Sequence, residues 1–296
     1  GKEFFSDDPK IASKNLPARM VEKLQIIDNK SEMEKMTGFD DGEEEMIINL
    51  TVRPDMKKGT FGNAFAGYGS QERYELNALV NRMRNDEQMT FTGGINNTNN
   101  AGVSDLGSAN GRSSGRTRSG GGNGINTAAN SGFNFSKEVS EKLEVGGNIR
   151  YGNNRSESLS KVYTQNLLSK GDTYEDQDNR SHSLDESLNM DVRLEWKPDS
   201  MTTLVFRPTL GFSSSEDIET DLFSTTRVAG DTVNYGNADY NSHGNGNNVS
   251  GNLNLHRRLG KRGRSINVGF NIRSNNSENK ATNISNTYYT GKRVDD

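Results

Sequence analysis

The sequence predicts a mainly β chain built from antiparallel strands. Three observations predict it: a small apolar share, strict two-residue alternation repeated along the chain, and connections that switch between short and long. Hydrophobic residues make up only 30% of the 296 residues, and mean hydropathy is -0.89. Even allowing for the 32 Gly, which that figure leaves out, the share falls below the roughly 45–50% apolar usage of a soluble globular domain, which argues against an enzyme with a thick two-layer core. Disorder is the obvious rival, but it normally goes with high net charge. Here 36 basic and 40 acidic residues cancel to -4, while 12 Phe and 9 Tyr are kept. An antiparallel sheet with one apolar and one polar face needs little interior and fits these numbers.

The first stretch, residues 1–58, differs from the rest. Leu16-Pro17-Ala18-Arg19-Met20-Val21-Glu22-Lys23 predicts a short helix, with Pro17 in the first turn, where a missing N–H costs nothing. Leu24-Gln25-Ile26-Ile27 predicts a strand, residues 28–45 a polar loop, and Met46 to Val52 a second strand. Together they are expected to form part of a small α+β domain.

Across residues 59–296 alternation takes over. Leu188, Met190, Val192, Leu194 and Trp196 share one face, and Asn189, Asp191, Arg193, Glu195 and Lys197 the other. The pattern recurs at Leu204 to Phe212, Val249 to Leu255, Ile266 to Ile272, Leu143 to Tyr151 and Tyr74 to Val80. It is weaker at Phe61 to Tyr68, Met89 to Ile95 and Ala129 to Phe135. About nine strands follow from the period-two rule.

The connections indicate which kind of sheet this is. Short charged turns are expected at Asn85-Asp86-Glu87, Glu138 to Glu141, Pro198-Asp199-Ser200 and Gly260 to Gly263. Long polar loops are expected near residues 97–128, 165–184 and 215–246. Apart from a tight first hairpin near Gly69-Ser70-Gln71, the two kinds alternate. A membrane-spanning barrel has this asymmetry, with short turns at one rim and long loops at the other. Its strands need only about 9–11 residues to cross the apolar layer. The predicted fold is therefore a partial antiparallel transmembrane β-barrel of about nine strands. Trp196, the single Trp, then marks an interfacial girdle, with Tyr68 and Tyr74 at the opposite rim. Glu144, Arg150, Asp191, Arg193, Glu195, Arg207 and Arg273 are expected to point into the lumen.

Little else carries chemistry. With no Cys there is no disulfide or thiolate site. Asp40, Asp41, Glu43, Glu44 and Glu45 lack calcium-loop spacing, and Asp172, Glu175, Asp176 and Asp178 are expected in a solvated extracellular loop. His182, His243 and His256 are far apart. Ser119 to Gly124 fails the context test for a phosphate loop. Arg112, Arg116 and Arg118 lack neighbouring aromatics, and a pI near 5.6 argues against nucleic acid. No catalytic, cofactor-binding or metal residues are expected, and the chain is not read as an enzyme. Gly1-Lys2-Glu3 shows no leader, and the strand pattern runs toward Lys292-Arg293-Val294-Asp295-Asp296 without a stop, so a piece of a longer chain is expected.

The opening Gly1-Lys2-Glu3-Phe4-Phe5, Asp7-Asp8-Pro9-Lys10-Ile11-Ala12, Asn15-Leu16-Pro17 and Val21-Glu22-Lys23-Leu24-Gln25-Ile26 resembles the second half of a plug domain. The likeness is to TonB-dependent outer-membrane receptors, particularly the Bacteroidetes-type group. Met46-Ile47-Ile48-Asn49-Leu50-Thr51-Val52-Arg53-Pro54 takes the plug's exit-strand position, and Thr60 to Gly69 the first barrel strand. Two departures touch substrate class: Asp28-Asn29-Lys30 stands where the family has Arg-Gly-Pro, and Gly38-Phe39-Asp40-Asp41-Gly42-Glu43 replaces a glycine-rich segment. The resemblance implies the C-terminal part of a plug at 1–58 and the first part of a barrel at 59–296, in the bacterial outer membrane. It further implies nutrient import past the plug, with membrane lipid, a TonB-type energising protein, a small nutrient and a surface lipoprotein as partners. The alternatives are a non-energised surface barrel and a soluble β-sandwich adhesin whose two sheets pack their apolar faces together.

Overall fold

The computed structural model describes residues 21–29, 34, 45–53, 58–99, 124–169, 171–260 and 264–290. The elements of these residues are all strands. β1 (Val21–Asn29) and β2 (Glu45–Val52) pair antiparallel, with Ile26 opposite Ile48 and Leu24 opposite Leu50. Both strands expected here are formed. Val21, Glu22 and Lys23, expected at the end of a helix, belong instead to β1. Pairing with β2 overrides a helical preference that only a few residues support. The rest of that segment, 16–20, lies outside the described residues.

A second sheet holds β3 (Lys58–Tyr68), β4 (Tyr74–Arg84), β5 (Glu87–Asn96), β6 (Gly124–Ser140), β7 (Leu143–Asn166), β8 (Thr173–Asp199), β9 (Thr202–Arg227), β10 (Thr232–Arg258) and β11 (Ser265–Tyr289). Its order is a simple antiparallel meander with β3 and β11 at the edges. All nine expected strands are present. Four connections at one end are short: Asn85-Asp86, Glu141-Lys142, Ser200-Met201 and the stretch between Arg258 and Ser265. At the first, Asn85 takes a left-handed φ of 47°, which Asn tolerates in a tight hairpin turn.

The opposite end departs from expectation. The stretches 165–184 and 215–246 are mostly strand: β7 runs on to Asn166 and β8 starts at Thr173, β9 runs on to Arg227 and β10 starts at Thr232. Asp172 just precedes β8, whereas Glu175, Asp176 and Asp178 are ladder residues of β8. The reason lies in the side chains: neither face of these stretches carries a continuous apolar stripe, so alternation fades while the backbone ladder continues. β8 and β10 each reach 27 residues against 11 in β3.

Two local devices fix the geometry. The first hairpin turns through Gln71 and Glu72, both at φ 58°, and closes with Gly69 N–H donating to the Arg73 carbonyl at 2.7 Å. Asn97 secures it, accepting from Tyr74 N–H at 2.8 Å and donating to the Glu72 carbonyl at 2.9 Å. In the middle of β9, Pro208 has no N–H to give, and the β8–β9 ladder skips Val192 and Arg193 between the pairs Asp191–Thr209 and Leu194–Phe206.

The turn after β8 yields a pH prediction. Asp199 accepts from Met201 N–H at 2.8 Å and from the Thr202 hydroxyl at 3.1 Å. The Met201 N–H, foremost, holds the carboxyl below its ordinary value of 3.8. A lowered folded-state value means the contribution is present above 3.8 and is lost as pH falls through the folded value. Asp199→Ala is expected to lower the urea midpoint in detergent at neutral pH, and the gap from wild type should close in acid. A gap that stays constant with pH contradicts the assignment.

Candidate functional site: an exposed apolar band and a polar inner wall

Directly opposed residues in an antiparallel ladder share a face, so the register sorts every side chain. One row runs Val80, Phe91, Phe133, Ile149, Met190, Leu210, Val249 across β4 to β10. Nearer the short turns lies Val145, Leu194, Phe206, Leu253, Phe270, and then Leu143, Trp196, Leu204, Leu255, Val268. This outer face is apolar across the sheet. On β3 it carries the small Gly62, Ala64 and Ala66 before Tyr68 at the strand's end, whereas Phe61 and Phe65 face inward opposite Asn81 and Asn77.

The burial is inverted relative to a water-soluble sheet. The only buried hydrophobic residues among the described ones are Leu79 and Val205, both on the inner face. The inner-face Asn81, Thr90 and Asn96 are at most 1% exposed. On the outer face Phe91, Phe206 and Phe270 are 51%, 38% and 59% exposed. No second sheet lies against those rows among the described residues, as the sandwich alternative would need.

The band has a height. On β7 it runs from Leu143 to Tyr151, about 26 Å along the strand at ~3.3 Å per residue. Tilted by about 40° it covers about 20 Å of depth, close to the ~25 Å apolar belt of an outer-membrane barrel. Beyond Tyr151, Leu188 and Phe212 the outer face turns polar, with Asn153, Glu186, Ser214 and Asn245 in the next row. At the lower rim Trp196 is 45% exposed, and Tyr68 pairs with Tyr74 beside the first hairpin at the other end.

The inner wall at the level of the band is charged. Glu144, Arg150, Asp191, Arg193, Glu195, Arg207 and Arg273 all fall on the face opposite the apolar rows, as alternation expects. Arg150 donates to Asp191 at 2.8 Å across β7 and β8, and Arg193 and Lys197 flank Glu195 at 2.7 and 2.6 Å. Asn81 donates to the Thr90 hydroxyl at 2.7 Å. Further out on the same face, burial first and then nearby Asp217 push the Asp185 carboxyl above its ordinary 3.8. Asp185 lines a shallow trough of about 690 Å³ with Gly152, Ser187, Ser213, Gly246 and Ser277.

The register keeps the histidines apart. His182 and His243 are on the outer face, near Glu157 and Asn245, and His256 is buried on the inner face against Asn267. Residues 40–44, Arg112, Arg116, Arg118 and the glycine-rich 119–123 lie outside the described residues, while Gly124 opens β6. Sequence reasoning missed the outer face of the extension. There Tyr163 stacks on Tyr174 at 5.8 Å and Tyr235 on Tyr288 at 5.3 Å. Tyr spacing along the chain carries no signal for this, because the pairs meet only through the register.

No family model matches the chain, and no curated protein matches it either.

Proposed function

We propose that this chain is the end of a plug domain followed by the first part of the barrel of a TonB-dependent outer-membrane receptor. Such a receptor binds a scarce nutrient at its outer loops and admits it past the plug when energised from within. The observation that carries the membrane half of this reading is the inverted burial: large apolar side chains outward and exposed, polar ones inward and covered. Hydrocarbon is the solvent that makes this arrangement favourable, since each exposed apolar side chain is worth about 1.5–3 kcal/mol when removed from water. The sequence pattern of residues 1–54 supports the plug half. The charged inner wall suits a wide, wet lumen, because a narrow barrel fills with side chains.

Topology gives the test. The chain has no Cys, so a single introduced thiol reports its own side of the membrane. Val228→Cys, at the turn of the tall β9–β10 hairpin, is expected to react with a membrane-impermeant maleimide on intact cells. Met201→Cys, at a short turn, is expected to react only after permeabilisation. Equal labelling of both in intact cells contradicts the outer-membrane reading. Nutrient uptake that persists after collapse of the proton gradient would instead support the non-energised barrel.

A further inference from the structure

The extension of β7 to β11 beyond the apolar band differs in charge from the rest of the chain. Residues 153–187, 213–247 and 275–289 carry 14 Asp and Glu against 6 Lys and Arg, although the whole chain is only at -4. The remainder is therefore net basic, and the field at the far rim favours cations.

On the outer face of that rim the register assembles one transverse row. Tyr163 on β7 faces Asp176 on β8, Asp176 faces Ser224 on β9, Ser224 faces Tyr235 on β10, and Tyr235 faces Tyr288 on β11. Tyr163 is 63% exposed and Tyr288 55%. With Tyr174 stacked on Tyr163, two tyrosine pairs flank an exposed carboxylate, about 14 Å apart at ~4.8 Å per strand. A groove of about 390 Å³ runs beside it, lined by Lys161, Tyr163, Asp176, Asp178, Leu222 and Ser224. Lys161 is committed to Asp178 at 3.1 Å. Tyr163 lies about 40 Å along the strand beyond Tyr151, so this row is too far out to be an interfacial girdle.

The geometry points to a docking surface for an arginine-rich, extended protein segment laid across the strand tips. A guanidinium plane stacks flat on a tyrosine face and pairs bidentately with a carboxylate, whereas a lysine ammonium is a point charge without that plane and a neutral sugar carries no charge. A chain in extended form crosses the gap between the two tyrosine pairs with about four residues. This surface stands apart from the transport reading, because it depends only on the rim and not on which face meets lipid.

The test uses the full chain in detergent micelles with a fluorescent nona-arginine peptide as probe. Wild type is expected to bind it with an affinity that falls with added salt. Asp176→Asn, and Tyr163→Ala combined with Tyr235→Ala, are each expected to weaken binding about tenfold. Tyr163→Phe with Tyr235→Phe keeps the rings and should retain binding. Asp185→Asn, on the inner face, should leave it unchanged and so separates a local contact from the general field. If the alanine variant fails to fold, the Asn and Phe variants still decide. The proposal is overturned if nona-arginine binds all variants alike, or if Asp185→Asn weakens it as much as Asp176→Asn. Binding of the neutral glucan laminarin in its place, with the same tyrosine dependence, also overturns it.

Discussion

Val192→Arg is expected to prevent stable insertion into lipid, whereas Ser214→Arg, in the first polar row beyond the band, is expected to be almost silent. Val192 is an outer-face residue in the third of the five apolar rows and 37% exposed. Placed in hydrocarbon, an arginine at mid-depth costs about 2–4 kcal/mol, falling to about 0–1 near the interface. The cost here adds to a ladder already broken beside Pro208. Urea titration of the chain in lipid vesicles measures it. If the outer rows faced water, the same change would improve solubility and cost almost nothing, so the sign of the effect separates the two environments.

The second large effect is expected at Arg150 and Asp191. The pair is made at 2.8 Å between side chains 16% and 34% exposed, so removing one partner leaves a partly desolvated charge behind. Fully buried pairs lose about 3–5 kcal/mol on such a change and exposed ones under about 1. With this exposure Asp191→Ala should cost about 1–2 kcal/mol. Arg150→Leu combined with Asp191→Leu should recover most of that loss, because the desolvated charge goes too. A double-mutant cycle on urea midpoints in detergent reads the coupling, and a coupling near zero would place both groups in open water.

How much of this was legible depended on what each face of each strand meets. Wherever one face was apolar, alternation placed the strand, and Leu188 to Trp196 is the clearest case. The same alternation put Asp191, Arg193 and Glu195 on the inner wall. Between Thr173 and Ser187 neither face carries a continuous apolar stripe, so the strand keeps its hydrogen-bond ladder but loses its pattern and resembles a loop. Val21 to Lys23 looked helical because local propensity is weak and the partner strand lies far along the sequence. β3 was hard to place because its outer face is Gly and Ala while its phenylalanines turn inward. The tyrosine row could not have been read from spacing at all. Its members come from five strands, and a register shift of one residue would have sent each to the other face.

If the exposed apolar rows meet lipid, Trp196 reports it. It is the single Trp of the chain, 45% exposed on the outer face, in the row nearest the short turns. With the chain in vesicles of brominated phospholipid, its fluorescence is expected to be quenched most by bromines close to the headgroups and less by bromines at the bilayer centre. Fluorescence untouched by any brominated lipid, yet quenched freely by acrylamide, would contradict the account.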